Sequence, residues 1–212
     1  MKLRVWNLVW TVFAFLLLLQ VMMAQVPQLS PFSADMQFSS GKSGREVSGK
    51  IYITPEHMRM DMQTQGSGVI VITNFSTKIV DTLMPQQHMY MEFNGNDMQG
   101  KRPGMAPNLK PFRDPSNPCA YEEGASCKDL GSEQMNGRSC EHWQITDKNG
   151  KVSNVWIDHK LRFPIKVVSA DSTVELSNIQ EGAPSASLFQ IPAGYQKMDM
   201  GNMMQGMRPP QQ

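Results

Sequence analysis

From Phe32 onward, apolar and polar residues alternate in short runs, and almost no segment shows the 3.6-residue period of a helix. The runs "SADMQFSS", "REVSGKIYIT", "HMRMDMQT", "GVIVITNF", "TKIVDTLM" and "QHMYMEF" follow one another, joined by a few residues rich in Gly, Pro, Asn and Asp. Such spacing predicts an antiparallel meander. After a long interruption the pattern resumes in "KDLGSEQM", "SCEHWQITD", "VSNVWID", "PIKVVSA" and "STVELSNI". Asn136-Gly137, between two strand-like runs, predicts a hairpin with a type I′ turn. "DHKL" before Phe163-Pro164 and "PSASLF" before Ile191-Pro192 are expected to be single helical turns. About eleven strands and few short helices predict a mainly β fold. Its sheet must be strongly curved or closed, because a flat open sheet of that width is unusual.

Three segments fall outside this pattern. "MKLRVWNLVWTVFAFLLLLQVMMAQ" sets Lys2 and Arg4 ahead of an apolar run from Leu8 to Leu19 and a small residue, Ala24. That order is a secretory signal peptide over residues 1–24. Val5 to Ala24 is also just long enough to span a bilayer as an uncleaved anchor. The stretch from Asn94 to Ser126 carries repeated Gly and Pro and no apolar period. It is long for a connection inside a domain, which predicts a flap or an insertion. Residues 201–212, "GNMMQGMRPPQQ", have the Gly, Gln and Pro of a flexible tail. One domain is therefore expected over residues 32–200.

The period of two also assigns faces. In "EHMRMDMQ", Met58, Met60 and Met62 share one face, with His57, Arg59 and Asp61 on the other. "HMYMEF" repeats this with Met89 and Met91. Methionine is flexible and polarisable, so a hollow lined by these residues, with Val69 and Val71 or their neighbours Ile70 and Ile72, would repack around acyl chains. The plainer reading is that the methionines fill an ordinary core. "GVIVITNF" is apolar on both faces and is expected to be covered on both sides.

Catalytic signatures are absent from the sequence. His57, His88, His142 and His159 lie on different predicted strands or turns, and no nucleophile elbow, P-loop or dinucleotide fingerprint occurs. Asp61, Glu92, Glu133, Asp158 and Glu175 are spread out and expected to be solvated or capping residues. Neither an enzyme nor a cofactor is predicted. Thioethers suit Cu(I), so Met203, Met204 and Met207 in the tail are candidate metal ligands.

Charge and cysteines narrow the setting. Removal of Lys2 and Arg4 with the signal takes a chain of formal net charge +1 close to neutrality, which gives no footprint for nucleic acid. Cys119, Cys127 and Cys140 allow three single pairings, and the short loop through "AYEEGAS" favours Cys119 with Cys127. Cys140 then stays free, in a strand, as a small buried apolar residue.

The order of "GKIYITPEHMRMDM", "VIVITNFSTKIVDTLMPQQHMYMEF", "LGSEQMNGRSCEHWQI", "VWIDHKLRFPIKV", "VELSNIQEG" and "FQIPAGYQKM" resembles secreted bacterial proteins with a LolA-like domain of unknown function, of the DUF4412 type. These look like distant relatives of the periplasmic lipoprotein carriers and of the anti-sigma regulator RseB. The resemblance implies a half-barrel wrapped around an apolar hollow that receives acyl chains without covalent chemistry. It makes a periplasmic or secreted, non-enzymatic binding protein for a lipid, a lipoprotein acyl chain or another apolar ligand the leading expectation. Copper handling through Met-rich segments and an envelope sensor that docks on a protein partner are the alternatives.

Overall fold

The computed structural model describes residues 29–41, 44–64, 67–95, 116–120 and 122–198. The expected signal segment and the tail with Met203, Met204 and Met207 lie outside the described residues, as does much of the loop from Asn94 to Ser126. Strands β1 (Phe32–Ser40), β2 (Arg45–Ile53), β3 (His57–Thr64), β4 (Ser67–Asn74), β5 (Ile79–Met84) and β6 (Met89–Asn94) form the first meander. A second contains β7 (Ser126–Met135), β8 (Arg138–Thr146), β9 (Val152–Asp158), β10 (Phe163–Ser169) and β11 (Ser172–Glu181). Every one of the eleven runs read from the sequence is a strand. A two-residue strand, β12 (Gln196–Lys197), and 3₁₀ turns at Pro85–Gln87 and Ala186–Phe189 complete the described elements.

All the strands belong to one sheet in the order β12-β6-β5-β4-β3-β2-β1-β11-β10-β9-β8-β7. The first meander runs outward from β1 on one side, and the second returns so that β11 pairs with β1 on the other. Every pairing is antiparallel except β12 on β6. Register shifts interrupt β1/β11, β9/β10 and β7/β8. Such irregularities bend a strand and raise its twist, the means by which so wide a sheet curves.

The core lies against one face of this curve. Phe32, Ala34 and Met36 of β1, Ile51 and Ile53 of β2, Met58, Met60 and Met62 of β3, and Val174 and Leu176 of β11 are buried in a single cluster. Phe163 and Ile165 of β10 join it, and Phe163 meets Phe32 edge to face at 5.4 Å. Gly49 stands in register between Met36 and Met62. A methyl group there would lie 2.1 Å from the Asp61 carbonyl oxygen, so only glycine permits this approach of β2 to β3.

β4 is buried on both faces, as its two-sided apolarity predicts. Val71 faces the core, whereas Ile72, with Leu83 of β5, is buried on the opposite face. On that face the Arg59 guanidinium donates to the Leu188 carbonyl at 2.6 Å, and the His57 and Phe189 rings lie 5.4 Å apart. β12 then docks on the edge of β6, where the Lys197 ammonium reaches Glu92 at 2.7 Å.

The local expectations are met. Asn136 and Gly137 have φ of 51° and 75°, the left-handed pair that a type I′ hairpin requires. "PSASLF" supplies the 3₁₀ turn at Ala186–Phe189. "DHKL" is likewise a single turn: the Arg162 N–H donates to the Asp158 carbonyl at 2.9 Å, one helical turn that is not continued because Arg162 leaves it at φ 57°. Cys119 and Cys127 form the expected disulfide with a Cα–Cα distance of 5.8 Å. Cys140 is free and buried.

Candidate functional site

Strand register carries the Met face across four strands. Met60 is paired with Val71, Met62 with Val69, Val71 with Thr82 and Thr82 with Met91. Met84 is paired with Met89. Met58, Met60, Met62, Val69, Val71, Met89 and Met91 therefore share one side of the sheet, and of the two valine–isoleucine choices Val69 and Val71 are the ones on it. Ile70 and Ile72 point to the side crossed by the C-terminal segment. Exposure grades along this face. Met58, Met60 and Met62 are 5%, 2% and 1% exposed and belong to the core cluster, whereas Val69, Met89 and Met91 are half-buried.

The polar side of the same strands is internally bonded. Arg59 grips Asp61 through two hydrogen bonds of 2.6 and 3.1 Å. The Asn74 side-chain oxygen accepts from the Ser76 and Thr77 N–H groups, so its nitrogen is the group that donates to His57 Nε2 at 3.1 Å. Asp81 differs, because its buried Oδ1 has no hydrogen-bond partner. Burial, and then the nearby Glu92 charge, hold its carboxyl above the ordinary value despite Lys197. A raised carboxyl contributes stability that is complete below the unfolded value and lost as pH rises through the folded one. Asp81→Asn is therefore expected to raise Tm at pH 7 and to leave it unchanged below pH 3.8, the ordinary carboxyl value, as calorimetry at the two pH values checks.

At the other end of the sheet a second polar cluster is structural in character. Asp158 is only 1% exposed and takes the capping role of the two expected for it. Its Oδ1 accepts from the Lys160 and Leu161 N–H groups at 2.8 and 2.7 Å, and Oδ2 accepts a short bond from Arg138 Nε. Glu133 accepts from the Trp156 indole and is bonded to His142, each at 2.8 Å. The Trp156 bond first, and then His142, hold that carboxyl below the ordinary range. His142 also stacks on Trp156 at 4.1 Å. The Cys140 thiol is pushed up to about 11, chiefly by burial, and its sulfur lies 3.7 Å from the Arg138 carbonyl. A protonated thiol is not a nucleophile. Among the described residues no group of three His, Cys, Asp or Glu is placed to hold a metal ion.

The apolar face therefore holds the sequence-predicted residues together. Two features of it escape sequence reasoning: Met84, which joins through its pairing with Met89, and Met198, which follows β12 onto the edge of β6. Counting outward equally from the turn in "LMPQQHMY" pairs Met84 with Met89 and is the signal that finds the first.

No curated protein matches the chain. Among solved structures, the fold is similar to an uncharacterized conserved protein of Thermus thermophilus, at 12% identity over 80% of this chain and 90% of that one, with a TM-score of 0.53. It is similar to MucB at 14% identity over 81% of this chain, with a TM-score of 0.51, and spans 60% of MucB's length. A LolA superfamily protein of Nitrosomonas europaea aligns at 8% identity over 76% of this chain and 90% of that one, with a TM-score of 0.38. The sequence profile of the family described as Domain of unknown function (DUF4412) matches residues 32–162, most of the chain, and the protein belongs to that family.

Proposed function

We propose that this protein is a non-enzymatic envelope protein, periplasmic or secreted, that holds an apolar ligand, an acyl chain in particular, on the Met-lined face of its curved sheet. The observation that carries this reading is the graded face itself. A row of fully buried methionines passes in register to half-buried Met89 and Met91 at the β6 side, while the chain's own C-terminal segment occupies the opposite face. Thioether side chains repack at low cost, so the half-buried end can open around a flexible chain and the buried row can receive its tip. Envelope placement is supported by the basic start, apolar run and small residue of residues 1–24. The disulfide between Cys119 and Cys127 fits an oxidising compartment.

Affinity on such a face comes from apolar burial less the cost of ordering the ligand. A carboxylate placed on it would be desolvated by the bound chain. Met91→Asp is thus expected to weaken binding of a fluorescent acyl probe by about 100-fold, the scale of about 3 kcal/mol for burying an unpaired polar group. Equal affinity in the two proteins, or no binding by the unaltered one, removes the proposal. MucB, whose fold this chain shares, is solved in complex with MucA. Recovery of one defined envelope protein in place of lipid would accordingly move the reading from carrier to sensor.

A further inference from the structure

The β5–β6–β12 corner gathers more sulfur than an acyl-binding face needs. Met84 and Met89 are directly paired across the hairpin that Pro85–Gln87 turns. Met91 lies two residues on along the same strand and the same face. β12 brings a fourth. Gln196 is paired with Met89 and Lys197 with Tyr90, and the Met198 N–H donates to the Tyr90 carbonyl at 2.8 Å. Lys197 bonds Glu92 on the polar side, so the alternation of the strand turns Met198 to the other side, beside Met91. All four methionines are half-buried rather than sealed in the core.

This arrangement suits a soft ion. Directly opposed residues have Cβ atoms about 5 Å apart and diagonal neighbours about 7–8 Å, within reach of long side chains. Three rotatable bonds let each sulfur swing toward a common point. Uncharged thioethers select Cu(I) over Zn(II), Mg(II) or Ca(II), which require imidazole, thiolate or oxygen ligands. The parallel pairing of β12 keeps Met198 in place through two backbone bonds, Gln196 N–H to the His88 carbonyl and Met198 N–H to the Tyr90 carbonyl, each 2.8 Å.

We propose that Met84, Met89, Met91 and Met198 form a thioether site for a soft monovalent metal ion, Cu(I) in chemical class, at the edge of the sheet. The site does not depend on acyl binding, because the ion is read by the sulfur atoms alone. Leucine keeps apolar volume and removes the ligand atom. Anaerobic titration of the full chain with Cu(I) against a chromogenic chelator is expected to give one ion per chain. Replacement of all four by leucine should lower Cu(I) affinity by about tenfold or more. Met203→Leu, Met204→Leu and Met207→Leu together should leave it unchanged. Ag(I) added to protein with labelled methionine methyl groups should shift the Met84, Met89, Met91 and Met198 resonances first. Cu(I) affinity that survives the four edge substitutions, or falls with the three tail substitutions, overturns the assignment. So do methyl shifts confined to other methionines.

Discussion

Arg138→Ala is expected to lower the free energy of unfolding by about 3–5 kcal/mol, the usual cost of stripping the partner from a buried charge. The Asp158 side chain is 2% exposed and that of Arg138 is 19% exposed. Alanine would leave a carboxylate with only the Lys160 and Leu161 N–H groups as donors. Those two bonds hold the turn from which Leu161, fully buried, enters the core, so the damage spreads from electrostatics to packing. Glu181 would lose Arg138 at 3.0 Å and keep Lys160. Asp158→Asn made in addition should recover part of the loss, because it removes the stranded charge. Urea denaturation of the single and double variants measures both terms. A loss below about 1 kcal/mol in the single variant would mean that the pair is worth no more than a surface ion pair.

Gly49→Ala should be nearly as damaging, at about 3 kcal/mol or more, the upper end for overpacking, because its collisions are with backbone. The added carbon would stand 2.1 Å from the Asp61 carbonyl oxygen and 3.1 Å from the Met62 Cα. Neither can rotate away, so β2 and β3 must part where Met36, Gly49 and Met62 lie in one row. Asp61 also anchors Arg59, which holds the C-terminal segment through Leu188. Separation of the strands should consequently loosen the core and the strap behind it together. Thermal unfolding checks this, and a Tm equal to that of the unaltered protein would show that the close approach of β2 and β3 is not required.

These two positions show where the sequence is a good guide and where it is not. Period-two alternation exposes the strands, because each has one side in the core, and it places Met58, Met60 and Met62 together whatever the curvature. The Asn136-Gly137 turn is equally legible, since its chemistry is local. Asp158 is not, because its partner Arg138 is 20 residues away and meets it only through the β8–β9 register. "DHKL" is legible as a single turn, which Asp158 caps at its start and Arg162 ends with a left-handed φ. β12 is two residues long in a Gly/Pro-rich stretch and is defined by the edge it meets rather than by a pattern of its own. Alternation says that the methionines share a face. It says nothing of Met84 and Met198 flanking β6 on that face, which depends on a hairpin turn and on a parallel docking strand.

The central claim is that the Met face receives an apolar chain, and native mass spectrometry of the protein isolated from an envelope fraction tests it most directly. A population carrying a noncovalent adduct of lipid mass is expected, released on collisional activation and missing from the Met91→Asp protein. Protein of the bare polypeptide mass alone, in both the unaltered and the Met91→Asp forms, would contradict it.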